Sequence, residues 1–181
     1  PSFDREEQYG DFADLVWKEI PLSLGFLAGY LRERGVAIRI VDEQWGSLDE
    51  ARIGELVAEF QPDLVGFSTL TPVFYRALEL ARLFKRASQE LTVVLGNVHP
   101  TVFPEESRAE AAVDLVVRGE GEVTLWEILK SLTGEMALAD VLGVSYRENG
   151  HCVHNEERPF QKDLDLFPGC AYDLIQEGLP G

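Results

Sequence analysis

Apolar residues along the chain alternate between a helical spacing and short β-branched runs. From Pro21 to Arg34 the spacing predicts a helix, with Leu24, Leu27, Ala28 and Leu31 in one stripe, Pro21 in its first turn and Gly35 at its end. Gly25 and Gly29 lie one turn apart on one face, where a helix can approach a sheet or a ligand closely. Ala37–Val41 (AIRIV) reads as a strand ending at Asp42. Leu48–Phe60 reads as a helix with Ile53, Leu56, Val57 and Phe60 on its buried side. Leu64–Phe67 is a buried strand, Ser68–Pro72 a loop, and Phe74, Ala77, Leu78 and Ala81 mark an amphipathic helix running to about Ala87.

The alternation continues. Thr92–Leu95 is the next strand, Gly96–Pro104 a loop and Glu105–Ala111 a short helix. Asp114–Val117 is a further strand, and Gly119–Glu122 leads into a helix over Val123–Leu132. Val144–Arg147 and Cys152–His154 flank Asn149-Gly150, a signal for a tight hairpin turn. Residues 1–19 read as loop, and the tail from Pro159 onward, with DLDLFP, reads as a linker strapped over the domain. Such a succession predicts an α/β fold, a doubly wound parallel sheet with helices on both faces and a C-terminal β-hairpin. In a doubly wound sheet the first strand is central and should precede a helix starting near residue 21, so a strand upstream of Pro1 is expected.

Composition narrows the partners. Of 181 residues, 16 are basic and 32 acidic, a formal net charge of -16 that repels nucleic-acid phosphates and anionic membranes. No apolar run reaches membrane-spanning length, the N-terminus does not read as a signal peptide, and the two cysteines, Cys152 and Cys170, form no framework; a cytoplasmic protein is expected. The length suits one domain with a short extension.

In open parallel sheets ligands bind beyond the carboxyl ends of the strands, here Asp42–Trp45, Ser68–Pro72, Gly96–Thr101 and Arg118–Glu122. A dinucleotide site needs G-x-G-x-x-G, and Gly119-Glu-Gly-Glu-Val-Thr124 lacks the third glycine and presents two carboxylates to a phosphate. There is no G-x-x-x-x-G-K-[ST] loop. Nor is there the aspartate and lysine pair of a phospho-receiver, because Ser68 and the acidic Gly119–Glu122 turn stand in those places. A large, mostly uncharged ligand remains, contacted by hydroxyls, glycine and apolar side chains, and a corrinoid matches that description.

The strings PLSLGFLAGYLRERGVAIRIVD, PDLVGFSTLTP, VVLGNVHPT, VDLVVRGEGEVTLWEIL, GVSYRENG and DLDLFP follow one another from Pro21 to Pro168. In that order they resemble the N-terminal cobalamin-binding domain of cobalamin-dependent radical S-adenosylmethionine enzymes. The resemblance implies a flavodoxin-like, Rossmann-like domain over residues 1–158 and a linker over 159–181 toward a radical SAM barrel of the same polypeptide. It implies cobalamin as cofactor and partner. The [4Fe-4S] cluster and S-adenosylmethionine would belong to the barrel, whose C-x-x-x-C-x-x-C motif this sequence lacks. Ser68, Thr69 and Leu70 match the family's S-x-L motif at the nucleotide tail of the corrinoid, and Thr71 adds a hydroxyl. Gly96-Asn97 stands where the family usually has two glycines, in the loop continued by Val98 and His99. Gly119, Glu120, Gly121 and Glu122 match the G-E-G-E turn bordering the tail pocket. The D-x-H-x-x-G motif that places histidine on cobalt is missing, so no protein histidine ligand is expected.

Each residue also has a plainer reading. Ser68 and Thr71 suit the cap of the helix beginning near Pro72, Gly96 a strand exit, and Glu120 and Glu122 a solvated helix N-terminus. His99 is the histidine best placed to seek a metal, although the family string carries one there without using it on cobalt. Of His151, Cys152 and His154 only the last two share a strand face, and two ligands do not make a zinc site. Trp45 and Trp126 read as packing. The functional expectation is a cobalamin-binding accessory domain, not catalytic alone, of a radical SAM enzyme, a methyltransferase in most such cases. A degenerate docking domain that has lost cobalamin and a freestanding corrinoid carrier stay open.

Overall fold

The computed structural model describes residues 20–176, so the loop expected over residues 1–19 lies outside the described residues. In chain order the helices and strands are α1 (Leu22–Arg32), α2 (Glu50–Phe60), β1 (Leu64–Ser68), α3 (Phe74–Ala87), β2 (Thr92–Gly96), α4 (Val98–Val102), α5 (Pro104–Ala109), β3 (Leu115–Val117), α6 (Gly121–Leu132), β4 (Val144–Glu148), β5 (His151–His154) and α7 (Tyr172–Gln176). They divide into two compact units, one of residues 49–166 and one of residues 1–48 with 167–181.

The larger unit carries the sheet, in strand order β1-β2-β3-β4-β5. β1, β2 and β3 run parallel, in register Leu64↔Thr92 and Val94↔Leu115. β4 and β5 extend the same sheet antiparallel, joined through Asn149 and Gly150, whose φ angles of 49° and 82° supply the left-handed turn that two such strands need. The sheet is therefore mixed. Successive strand residues point to opposite faces, yet Val93, Val94 and Leu95 are all buried, so β2 is covered on both sides. On one face Val93, Leu95 and Val116 pack with Phe74, Ala77, Leu78 and Ala81 of α3, the stripe that helical spacing predicts. Truncating a fully buried residue of this layer, such as Leu95, would cost about 2–5 kcal/mol.

α2 begins where Asp49 accepts a hydrogen bond from the Arg52 amide at 2.8 Å. Ile53 and Leu56 are buried, but Phe60, expected inward, is 37% exposed. It is the last helical residue before the left-handed exit at Gln61, where the apolar stripe has outrun its packing.

The smaller unit holds α1 and α7. Gly25 and Gly29 do allow a close approach, and the neighbour is the segment from Gly169 to Ile175 of the same unit. A Cβ at Gly25 would collide with Cys170 Sγ and Ile175, and one at Gly29 with the Gly169 carbonyl. Ala171 N donates to Gly25 O at 2.9 Å, and Arg32 pairs with Asp173 at 2.5 Å. Ala37–Val41 is not a strand. Its residues alternate between half-buried and exposed, as extended chain does, but the segment joins no sheet among the described residues, and a strand exists only where a neighbour shares its ladder.

Candidate functional site

Since Ala37–Val41 joins no ladder among the described residues, Asp42–Trp45 follows no strand there. Asp42 instead caps a short 3-10 turn, accepting from the Gln44 amide at 2.9 Å. The other three loops all leave the carboxyl ends of parallel strands of the larger unit, and their residues are cross-linked.

After β1 the chain sinks and resurfaces. Thr69 is fully buried, its amide donating to Gly96 O at 2.9 Å and its hydroxyl to Phe67 O at 3.3 Å. Leu70 and Thr71 are exposed, while Ser68 is half-buried. Neither hydroxyl caps a helix: the 3-10 turn Thr71–Val73 and α3 both start without a side-chain cap. Ser68 Oγ accepts from Asn97 Nδ2 at 2.8 Å, and Thr71 Oγ1 meets His99 Nδ1 at 3.2 Å. Both hydroxyls thus face the second loop.

That second loop is not irregular throughout. Val98–Val102 forms α4, with Pro100 at its third position, where an amide hydrogen would have no partner inside the helix. Asn97 precedes it at φ 81° and ψ -162°, a conformation that glycine adopts readily and other residues rarely. The asparagine holds it with two side-chain bonds, Oδ1 accepting from Val98 N at 2.7 Å and Nδ2 donating to Ser68. His99 is buried, its ring 3.9 Å from that of Phe74 and 5.2 Å from that of Phe103, and its amide donates to Thr69 O at 3.2 Å. Val98 and Val102, more than half exposed, place an apolar edge on the same short helix.

The third loop turns at Gly119, with φ 75°. Thr101 Oγ1 donates to Asn97 O at 2.8 Å and accepts from Gly119 N at 3.0 Å, so one hydroxyl joins the second and third loops. Glu120 is engaged from the other side: its carboxylate accepts from the Gln161 amide at 2.8 Å. Arg158 donates to Thr124 Oγ1 at 2.8 Å and pairs with Glu127, so residues 158–161 are strapped to the start of α6. Arg118 donates to the Asn155 carbonyl. Gly121 and Glu122 are half-buried in the first turn of α6. Thr101 and Gln161 are the residues that sequence reasoning passes over. Thr101 lies inside the string VVLGNVHPT, but its two-way bonding has no sequence signal, and Gln161 acts through its backbone.

His154 Nδ1 meets Ser145 Oγ at 2.8 Å, Cys152 is exposed, and no group of three metal-ligating side chains exists among the described residues. Trp126 is half-buried, with the Lys130 ammonium 5.9 Å from its ring centre, and Trp45 is half-buried in its 3-10 turn. No helix among the described residues is long and apolar enough to cross a membrane.

Comparison with known proteins gives a consistent picture. A model of the B12 binding domain family matches residues 13–129. The uncharacterized methyltransferase PH0819 of Pyrococcus horikoshii is 35% identical over 156 residues, covering 86% of this chain and 34% of that protein. The anaerobic magnesium-protoporphyrin IX monomethyl ester cyclase of Rubrivivax gelatinosus is 30% identical over 159 residues, covering 84% of this chain and 29% of that one. Among solved structures, the cobalamin-dependent S-adenosylmethionine radical enzyme OxsB, with aqua-cobalamin and S-adenosylmethionine bound, superposes with a TM-score of 0.78 at 26% identity, over 92% of this chain and 24% of that one. The chain thus spans about a third of the length of the curated relatives it matches.

Proposed function

The chain belongs to the B12-binding domain family, and on that premise we propose that the three cross-linked strand-end loops form its cobalamin site. One observation carries the placement: at one end of the parallel strands three loops are joined, Ser68 Oγ to the Asn97 side-chain amide, Thr71 Oγ1 to the His99 ring, and Thr101 Oγ1 to the Asn97 carbonyl and the Gly119 amide. The donor set suits a corrinoid, whose amide arms want neutral donors and acceptors and whose ring wants apolar contact. Ser68 and Thr71 offer hydroxyls, Gly96 and Asn97 their backbone groups, and Leu70, Val98 and Val102 exposed apolar surface.

Thr69 and His99 act from beneath, holding the first two loops together, since both are buried. Gly119 and Gly121 border the pocket through their backbone, as does Glu120, whose carboxylate is taken up by Gln161. When bound, cobalamin supplies a cobalt centre able to carry a methyl group. A cobalamin held there would be expected to draw no imidazole from His99, which is buried between Phe74 and Phe103, or from His154, which is bonded to Ser145.

In the whole protein, residues 159–181 lead to a radical SAM barrel of the same polypeptide. That barrel would hold the [4Fe-4S] cluster and S-adenosylmethionine, and this domain would hold cobalamin beside it for methyl-transfer chemistry in the cytoplasm. PH0819, named a methyltransferase, and OxsB, named a radical enzyme, support this reading.

Incubation of the purified chain with hydroxocobalamin followed by desalting tests the binding claim. Stoichiometric retention of the red chromophore is expected. A colourless protein at stoichiometric concentration would favour a docking domain in which Asn97, standing where the family usually has glycine, no longer leaves room for cobalamin.

A further inference from the structure

We propose that Asn97 is a positioning residue: it turns Ser68 into an outward hydrogen-bond donor for the polar nucleotide tail of the corrinoid, and so makes affinity depend on that tail. The inference rests on the cobalamin reading above. At Asn97 the backbone holds φ 81° and ψ -162°, a conformation easy for glycine and strained for any side chain. What the side chain does there is specific. The Val98 amide can only donate, so the asparagine must direct Oδ1 to it, at 2.7 Å, which leaves Nδ2 facing Ser68 Oγ at 2.8 Å. An NH2 group only donates, so Ser68 Oγ is obliged to accept. A serine hydroxyl has one hydrogen and two lone pairs, and with Asn97 on a lone pair the hydrogen is left to point elsewhere. Ser68 is half-buried at the end of β1, and no hydrogen bond among the described residues uses that hydrogen. The amide orientation at Asn97 therefore fixes the polarity of Ser68 before any ligand arrives.

Visible-absorbance titrations of the intact chain with hydroxocobalamin, and with dicyanocobinamide, which lacks the nucleotide tail, test the proposal in four proteins: the parent, Asn97→Gly, Ser68→Ala and the double variant. Glycine accepts the backbone angles of residue 97 without strain, so thermal melting of Asn97→Gly should not fall below the parent. Expected is a loss of about fivefold in hydroxocobalamin affinity for Asn97→Gly, the worth of one neutral hydrogen bond. Cobinamide affinity should be unchanged, and the same substitution should have no effect in the Ser68→Ala background. The proposal is overturned if Asn97→Gly binds hydroxocobalamin as well as the parent, if both ligands weaken alike, or if the loss persists without the serine hydroxyl. A parent that binds neither ligand overturns the cobalamin reading together with this one. A parent that binds, with any of those three outcomes, overturns the positioning role alone.

Discussion

The loops after β1 and β2 and the turn after β3 leave the same edge of the sheet, yet they are held in opposite ways. The first two are tied to each other, Ser68 to Asn97 and Thr71 to His99, through bonds between side chains. The turn at Gly119–Gly121 is tied mainly outward, through the Glu120 carboxylate to the Gln161 amide and through Thr124 to Arg158. Residues that look alike on paper, small or polar and at strand ends, thus divide into a pair of loops that present groups and a turn that is braced. The difference teaches that a strand-end motif marks a location, while its partners decide its task.

The sharpest way to break this contrast is Ser68→Trp. An indole at the half-buried end of β1 should abolish retention of hydroxocobalamin on desalting, at least about a hundredfold loss of affinity or about 3 kcal/mol, while far-UV circular dichroism stays that of the parent. A variant that binds like the parent would move the site elsewhere. Next comes His99→Ala, which empties the buried space between Phe74 and Phe103. It should lower stability by about 3 kcal/mol in urea unfolding, because an aromatic ring is removed from the packing beneath both presenting loops. Glu120→Ala should act on the braced side only. Stability should fall by about 1 kcal/mol and hydrogen exchange at the Gln161 amide should quicken, with corrinoid affinity staying within about twofold. A large loss of affinity would erase the distinction between presenting and braced loops.

The smallest effect concerns Glu110, which lies before β3 at the end of the sheet opposite the loops. Its hydrogen bond from Arg82 holds the carboxyl below the ordinary carboxylate range. A depressed folded value gives stability that is fully present above the unfolded value and lost as pH falls through the folded one. Arg82→Ala should therefore flatten the acid side of the stability curve, by about half a kcal/mol after solvent screening, with corrinoid binding unmoved.

Much of this was legible from residue spacing. Phe74, Ala77, Leu78 and Ala81 announce α3 because a helix buries a stripe, and Thr92–Leu95 announces β2 because both its faces are covered. Ala37–Val41 misleads for the complementary reason: β-branched residues make a chain willing to extend, but a ladder needs a neighbour. α4 is hidden because five residues with a central proline carry no period. For the proposed site, the residue types at the strand ends single out three loops that the fold brings to one end of the parallel strands. What they could not convey was direction, since the bonds of Asn97 to Ser68 and of Glu120 to Gln161 join positions 29 and 41 residues apart.

Thr101 gives the three loops a further property. Its hydroxyl is spent twice, as donor to the Asn97 carbonyl and as acceptor for the Gly119 amide. The presenting loops and the braced turn are therefore preorganised as one body, and the entropy of fixing them is met during folding rather than on binding. A ligand that touches only one of the loops should accordingly be felt at all three.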